Sequence, residues 1–229
     1  MKNIISFKLF ENEKNDSIQR EKAIIFFNKL QKVLKHQPNI LKPTLDSYYI
    51  EGKIIDRKYD DLFIVFLHKD DPRLHISPNK MKYDKNEYKI TGGYNRKKGI
   101  SVIFCINLIE PKNKKYIDTR LDRTNFIHEF IHYLDDKKSK SVSGLKFKNI
   151  KDYYNSPHEY NAYYQQDVDI LKKVIKNHPE EKNKINNFHE FKEYALKFFD
   201  KQWYKLMNDK YRKKLDKRLY NLYTDLFNI

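Results

Sequence analysis

The chain of 229 residues has a formal net charge of +16, and 39% of its residues are hydrophobic. This length is enough to bury a large core, and the 18 tyrosines and 15 phenylalanines supply apolar surface, which excludes a wholly disordered chain. The 5 glycines and 7 prolines are too few for a many-turned all-β fold and favour long helices.

The positive charge has two interpretations. One is an anionic partner, such as nucleic acid, a membrane surface or an acidic substrate. The other is a coding bias, since Lys, Asn, Ile, Tyr and Phe are all frequent and all have AT-rich codons. The basic residues are spread along the chain without a dense tract, which favours the second interpretation.

Cys105 is the only cysteine, so no intrachain disulfide can form and the chain suits a reducing compartment. The N-terminal stretch MKNIISFKLFENEKND lacks a signal-peptide core and a small-residue cleavage site. No apolar run approaches the roughly 20 residues that a bilayer-spanning helix requires. We therefore expect a soluble, cytoplasmic protein without a membrane span.

The first predicted element is a helix over residues 17–36. Ser17 can cap its start, and Pro38 follows its end as a stop signal. Apolar residues recur at helical spacing at Ile24, Phe27, Leu30 and Leu34.

Residues 47–110 have the sequence pattern of β-strands. SYYIEGKII predicts a hairpin around Glu51 and Gly52, LFIVFL a buried strand, and EYKITGG a short strand that runs into a turn. GISVIFCINL, residues 99–108, is the strongest strand pattern because its apolar run is unbroken and rich in β-branched residues. After Lys115 the pattern is mainly helical. This order predicts an α+β fold with a small, mostly antiparallel sheet.

The stretch FIHEFIHYLDD, residues 126–136, carries the pattern H-E-x-x-H. On a helix, His128 and His132 lie one turn apart on the same face and can bind one metal ion together. Glu129 then flanks the ion, where its carboxylate can take a proton from water and pass it to a leaving amine.

The pattern alone is weak, because chance also produces it. Its surroundings strengthen it: apolar residues bracket the histidines, so the helix should be buried, where unsatisfied histidines are costly. These apolar residues are Phe126, Ile127, Phe130, Ile131 and Leu134. The alternative is a His/Glu stripe on the solvent face of an amphipathic helix.

A catalytic zinc site needs a third protein ligand. The candidate lies in NSPHEYNAYYQQ, residues 155–166, which predicts a helix with Ser156 as its N-cap and Pro157 in its first position. Glu159 is either the acidic half of a capping box or the third metal ligand, and the ligand is favoured. His158 is a rival ligand.

Together, HEFIHYLDD and SPHEYNAYYQQ resemble the zincin metallopeptidases of the gluzincin type. They are similar, more narrowly, to small zincin-like proteins of bacteriophages and other viruses, and the resemblance covers residues 100–166. It implies Zn²⁺ as the metal, His128, His132 and Glu159 as its ligands, and Glu129 as the general base. A viral source would allow association with a virion instead of a purely cytoplasmic location.

Two features depart from the family pattern. Many gluzincins place an aspartate four residues after the ligand glutamate, where this chain has Tyr163. The residue that holds a zinc histidine is therefore unassigned, with Asn161 and Asp135 as candidates. The residue that stabilises the oxyanion is also unassigned, with five candidates: Tyr153, Tyr154, Tyr160, Tyr163 and His189.

Residues 188–227 predict one or two amphipathic helices whose aromatic residues belong to a core. The sequence feature that comes closest to a basic patch is a group of six residues in this region: Lys210, Arg212, Lys213, Lys214, Lys217 and Arg218. A solvated helix face is the favoured interpretation. A weak contact with nucleic acid or an acidic protein is the alternative.

The predicted organisation is a single zincin-like domain over residues 1–229. A helix and sheet lobe spans 1–110, and a helical lobe with the metal site spans 111–229. The predicted function is zinc-dependent hydrolysis of a peptide or protein substrate, by an endopeptidase in preference to an exopeptidase. The substrate would lie extended against an exposed strand, with EYKITGG as a candidate.

Two alternatives to this function and one to the identity of the metal stay open. A catalytically silent zincin fold could act as a structural or binding module, in a viral particle or on nucleic acid. A regulatory protease could cleave a single partner protein such as a repressor. The same ligands also accept cobalt or nickel in place of zinc.

Overall fold

The computed structural model describes residues 2–43, 47–67, 75–76, 88–89, 92–106, 122–139 and 147–227. It separates into two compact units. One comprises Gln19–Asn149, and the other comprises Met1–Ile18 together with Ile150–Ile229. None of the described helices is long and apolar enough to cross a membrane.

The N-terminal helix, α1, spans Lys2–His36. Its predicted end is confirmed, and a short 3₁₀ turn, Pro38–Ile40, follows it. The predicted start is wrong: Ser17 lies inside the helix and does not cap it. The preceding stretch ENEKND is polar but has neither Gly nor Pro, so nothing in it breaks the helix. Five apolar side chains of α1 are buried: Ala23, Phe26, Phe27, Leu30 and Leu34.

The structure has the predicted α+β class. Its main sheet contains β1 (Lys42–Pro43), β2 (Ser47–Glu51), β3 (Leu62–Leu67), β6 (Gly92–Lys97) and β7 (Ile100–Ile106), in the order β1-β2-β3-β7-β6. Three of its four pairings are antiparallel, and β3 pairs with β7 in parallel. The strands β4 (His75–Ile76) and β5 (Tyr88–Lys89) form a separate antiparallel pair. LFIVFL and residues 100–106 of GISVIFCINL are therefore strands, as predicted, and residues 107–108 lie outside the described part.

The predicted hairpin in SYYIEGKII is wrong. A short helix, α2 (Gly52–Ile55), follows β2, and β2 pairs with β3, so that Glu51 lies opposite Phe63. Gly52 is not a turn residue but a point of close approach. A Cβ atom there would lie 2.6 Å from the carbonyl oxygen of Tyr59.

The predicted strand EYKITGG divides between two sheets. Tyr88–Lys89 is β5, while the two glycines begin β6 at the edge of the main sheet instead of forming a turn. The turn lies further on, at Lys98 (φ 53°) and Gly99 (φ 81°), where the chain returns to β7. Residues 90–91 are outside the described part.

The helix with the histidine pair, α3, spans Arg123–Ser139 and packs on the sheet. Asp122 caps it, because its carboxylate accepts from the backbone N–H groups of Thr124 (2.9 Å) and Asn125 (3.3 Å). Phe126 and Phe130 pack on Phe26, with ring centroids 6.1 and 4.8 Å away. This helix belongs to the unit Gln19–Asn149, which also contains the main sheet.

The other unit is helical. After α4 (Ile150–Tyr154) and α5 (Pro157–Asn177) come a 3₁₀ helix (Pro179–Lys184), α6 (Phe188–Leu196), α7 (Lys201–Leu206) and α8 (Asp209–Phe227). The one or two helices predicted over 188–227 are thus three. Asp200 and Asn208 accept backbone N–H bonds from Trp203 (2.7 Å) and Tyr211 (3.0 Å) and start new helices. The predicted aromatic core is confirmed, with Trp203 fully buried at its centre.

Candidate metal centre

Two buried histidines lie on adjacent turns of α3. His128 and His132 are 5% and 6% exposed, and their Nε2 atoms are 3.1 Å apart. Two imidazole nitrogens bound to one tetrahedral zinc at about 2.0–2.1 Å lie about 3.3 Å from each other. The observed spacing therefore fits shared coordination of one ion, and it also fits a hydrogen bond between one protonated and one unprotonated nitrogen. The alternative of a solvent-facing histidine stripe is wrong, because both rings are buried.

The start of α5 positions Glu159. Ser156 is the N-cap, as predicted, and its hydroxyl accepts from the Glu159 N–H at 3.2 Å, while Pro157 occupies the first turn. In a complete capping box the Glu159 carboxylate would receive the Ser156 N–H. That N–H donates instead to the Tyr153 carbonyl oxygen at 3.0 Å. Helix capping therefore explains Ser156 but does not explain why Glu159 is only 8% exposed.

His128, His132 and Glu159 form a buried group that can hold a metal ion. One ligand atom from each residue lies within 4.8 Å of the others. Two imidazole nitrogens and one carboxylate oxygen are a donor set of catalytic zinc sites, which leave the fourth position for water or substrate. His158, the rival ligand, does not belong to this group. Its side chain is half-buried at the start of α5.

Glu129 follows His128 on α3 and is half-buried. A step of one residue turns a helix by about 100°, so Glu129 projects to the flank of the face that carries the two histidines. This is where a general base beside the metal is expected. The role of Glu129 stays a prediction.

The two residues that were predicted to hold a metal-binding histidine form other hydrogen bonds. Asp135 accepts from the Gln19 side-chain amide at 2.7 Å, and Asn161 accepts from the Arg218 guanidinium at 3.4 Å. Neither of these bonds reaches His128 or His132. The residue that orients a zinc histidine therefore stays unassigned.

The carboxylate that ties α3 to the sheet is Asp136, which the sequence analysis missed. It is 2% exposed and accepts from the Tyr94 hydroxyl (2.7 Å) and Arg96 Nη1 (3.1 Å) of β6. Burial, and the bond to Asp136, hold the pKa of Tyr94 well above its usual range. Asp136 is the second aspartate of the HYLDD ending, but the spacing of these residues alone does not show which of the two aspartates faces the sheet.

A second carboxylate, Asp61, holds the same helix. It accepts from the Tyr133 hydroxyl at 2.8 Å and forms an ion pair with Lys137 at 2.7 Å. Burial, and then the bond to Asp61, raise the pKa of the Tyr133 phenol far above its usual value. With Asp136, this contact fixes the end of α3 that follows the two histidines.

Tyr163, one of the candidates for an oxyanion-stabilising residue, has an electrostatic link to Glu159. Burial raises its pKa, and the neighbouring Tyr154 and the Glu159 carboxylate raise it further. Its ring stacks on Trp203 with a centroid distance of 5.6 Å. His189, in contrast, is exposed on α6 beside Glu193.

Comparison of the chain with protein-family models, curated proteins and solved structures finds no match. The resemblance of residues 100–166 to zincins therefore depends on the motif residues alone. The buried group of two histidines and a glutamate is the observation on which a function can be argued.

Proposed function

We propose that this protein is a zinc-dependent metallopeptidase that acts as an endopeptidase. The observation that carries the proposal is the buried His128, His132 and Glu159 group. Two imidazole nitrogens and a carboxylate oxygen that lie within 4.8 Å of one another can bind one divalent cation together. The donor set favours zinc over magnesium or calcium, which prefer oxygen ligands.

His128, His132 and Glu159 would hold the zinc ion, which would supply Lewis-acid chemistry to a peptide carbonyl and to water near neutral pH. The protein contributes the proton transfers. Glu129 accepts the proton of the attacking water and delivers it to the nitrogen of the leaving amine. The bond between carbonyl carbon and nitrogen breaks, and the products are a carboxylic acid and an amine, which become carboxylate and ammonium by one further proton transfer. Glu129 ends as it began, so no covalent enzyme intermediate is needed.

The edge strand β6 is the surface that we propose for the peptide substrate. Among the residues that the structure describes, β6 pairs with β7 along one side and with no strand along the other, which is the side that we propose for an extended chain. Tyr94 and Arg96 on β6 bond to Asp136 on α3, so the edge is joined to the helix that carries the histidines. A substrate that binds along an open strand is cleaved internally, which favours endopeptidase activity.

A peptide library tests the proposal. Wild-type protein loaded with zinc should cleave a subset of peptides, and Glu129→Gln should lose at least about 100-fold in rate, the lower range for loss of a general base. The zinc content of both proteins is measured in the same samples, because Glu129 is not a ligand and its variant should retain the metal. Full activity of Glu129→Gln on every peptide that the wild type cuts would contradict the mechanism.

A further inference from the structure

Four lysines of α8 lie on one exposed face. Lys210, Lys213, Lys214 and Lys217 are spaced at i, i+3, i+4 and i+7, and all four are exposed. With about 100° per residue, they fall within an arc of about 100° and span about 10 Å of helix. We call these four residues the lysine face.

The structure separates this face from the two arginines of the same helix. Arg212 donates from Nε to the Met207 carbonyl oxygen at 3.0 Å. Arg218 is 5% exposed, and its guanidinium lies over the rings of Tyr160 (5.2 Å) and Tyr164 (4.3 Å). The Lys214 ammonium also lies over the Tyr160 ring, at 4.8 Å, but the Lys214 side chain is exposed, whereas Arg212 is half-buried and Arg218 is buried. The exposed part of the six-residue basic patch is therefore the four lysines.

Two acidic residues of α8 adjoin these lysines in sequence: Asp209, which is exposed in the first turn, precedes Lys210, and Asp216 precedes Lys217. Asp216 forms an ion pair with Lys192 of α6 at 2.7 Å. Within the lysine face, like charges three and four residues apart repel one another, which destabilises a helix. An anionic partner would remove this repulsion, and a row of lysines matches a row of phosphates in charge and direction.

An aromatic ring continues the face one turn further on. Tyr220 is 51% exposed, three residues after Lys217. The Phe188 ring packs edge-on against it, with centroids 5.2 Å apart and an interplanar angle of 77°. This contact holds one side of the Tyr220 ring while half of its surface stays open to solvent. An open, oriented aromatic ring beside cations can stack on an unpaired base.

We infer that the lysine face and Tyr220 form a binding surface for single-stranded nucleic acid. The four lysines contact successive phosphates, and Tyr220 stacks on one base. A single strand fits better than a duplex, because the bases of a duplex are already stacked on one another. It also fits better than an acidic protein, because carboxylates would leave Tyr220 without a role. This inference does not depend on the metal group or on peptidase activity.

Fluorescence anisotropy with a labelled oligothymidine of about 20 nucleotides tests the inference, since the site size of such surfaces is about 4–16 nucleotides. The binding variant replaces all four lysines of the face by Gln. The control variant replaces four other exposed lysines, Lys22, Lys32, Lys35 and Lys148, by Gln. Both variants lower the formal net charge from +16 to +12 (16 − 4 = 12), so they differ only in where the charge is removed.

The binding variant should lower the slope of log affinity against log salt by about 3, since each phosphate contact on a single strand contributes about 0.7. The control variant should keep nearly the full slope. Tyr220→Ala should weaken binding to oligothymidine about tenfold, within the range for loss of one base stack, and should leave the salt slope unchanged.

Three results would overturn the inference. An equal loss of slope in both lysine variants would mean that only the overall charge attracts the strand. A duplex of the same length that binds as tightly, with no effect of Tyr220→Ala, would mean that no base is stacked. A polyglutamate peptide that binds more tightly than oligothymidine at the same salt concentration would identify an acidic protein as the partner class.

Discussion

The Nε2 atoms of His128 and His132 lie 3.1 Å apart on adjacent turns of α3, with both rings buried. If this pair binds zinc, folding and metal binding are linked. Zinc at 100 times its dissociation constant should raise the free energy of unfolding by about 2.7 kcal/mol. Thermal unfolding with and without zinc measures this gain. His132→Ala should abolish it, and the exposed His189→Ala should keep it. An equal gain in both variants would contradict a site at this pair.

The ion pair between Asp136 and Arg96 yields a stability prediction. Asp136→Ala removes the acceptor of Arg96 Nη1 and the closer of the two partners of the Tyr94 hydroxyl, which keeps Ser101 at 3.3 Å. We expect a loss of about 3 kcal/mol, at the low end for a broken buried pair, because Arg96 is 29% exposed. Urea unfolding measures the loss. Asp135→Ala, which removes the bond to Gln19, is the matched control and should cost about 1 kcal/mol. Equal costs would show that the network with β6 adds nothing.

A buried carboxyl in the helical unit predicts a pH dependence. Asp167 is 1% exposed, and burial raises its pKa well above the ordinary value of 3.8, with the nearby Asp200 charge adding to the rise. The folded state favours the neutral acid of Asp167. The contribution of Asp167 to the free energy of unfolding is therefore fully present below pH 3.8, and it is lost as the pH rises through the pKa of the folded state. Asp167→Asn should therefore be more stable than the wild type at pH 8, and this difference should shrink towards pH 4.

Urea midpoints across this pH range measure the effect of Asp167. Asp169→Asn is a suitable control, because Asp169 is also buried but lies 3.6 Å from the Lys173 ammonium, which compensates its charge. The control should not become more stable at pH 8. A wild type and Asp167→Asn that respond identically to pH would contradict a neutral Asp167.

Alanine substitutions at two glycines should differ in their cost to stability: Gly52→Ala should be destabilising, and Gly93→Ala should meet only ordinary van der Waals contact. A Cβ at Gly52 would lie 2.6 Å from the Tyr59 carbonyl oxygen, a backbone atom that cannot move without shifting the loop before β3. Gly52→Ala should cost about 1–3 kcal/mol, as overpacking does. A Cβ at Gly93 would meet its nearest atom, Phe104 Cδ2, at 3.8 Å, which is ordinary contact. Thermal unfolding of the two variants compares them, and equal stability would refute the close approach at Gly52.

The sequence predicted those elements whose pattern is set locally. The unbroken apolar run of β7 and the apolar residues around His128 and His132 indicated a strand and a buried helix, and both are present. Ser156 and Pro157 marked the start of α5 for the same reason, since a cap needs only its own neighbours. The class of fold followed from the order of these elements.

The features that the sequence did not predict depend on distant contacts. Gly52 seemed to mark a hairpin because its neighbours are strand-like, but its conformation is set by Tyr59 and Leu62 on the following segment. Asp136 faces the sheet only because Tyr94 and Arg96 of β6 meet it there. In the same way, Glu159 satisfies the spacing of a capping box, and the spacing does not show that the Ser156 N–H donates to the Tyr153 carbonyl oxygen. The ligand role of Glu159 stays a prediction.

Metal content per chain is the most direct test of the proposed function. Wild type, Glu159→Ala and His158→Ala are purified side by side without chelators or a metal-binding tag, supplied with zinc, and measured by elemental mass spectrometry. The proposal predicts about one zinc per chain in the wild type and in His158→Ala, and much less in Glu159→Ala, because a catalytic zinc site uses three protein ligands. A wild type without zinc, or a loss in His158→Ala instead of Glu159→Ala, would contradict the proposed metal centre.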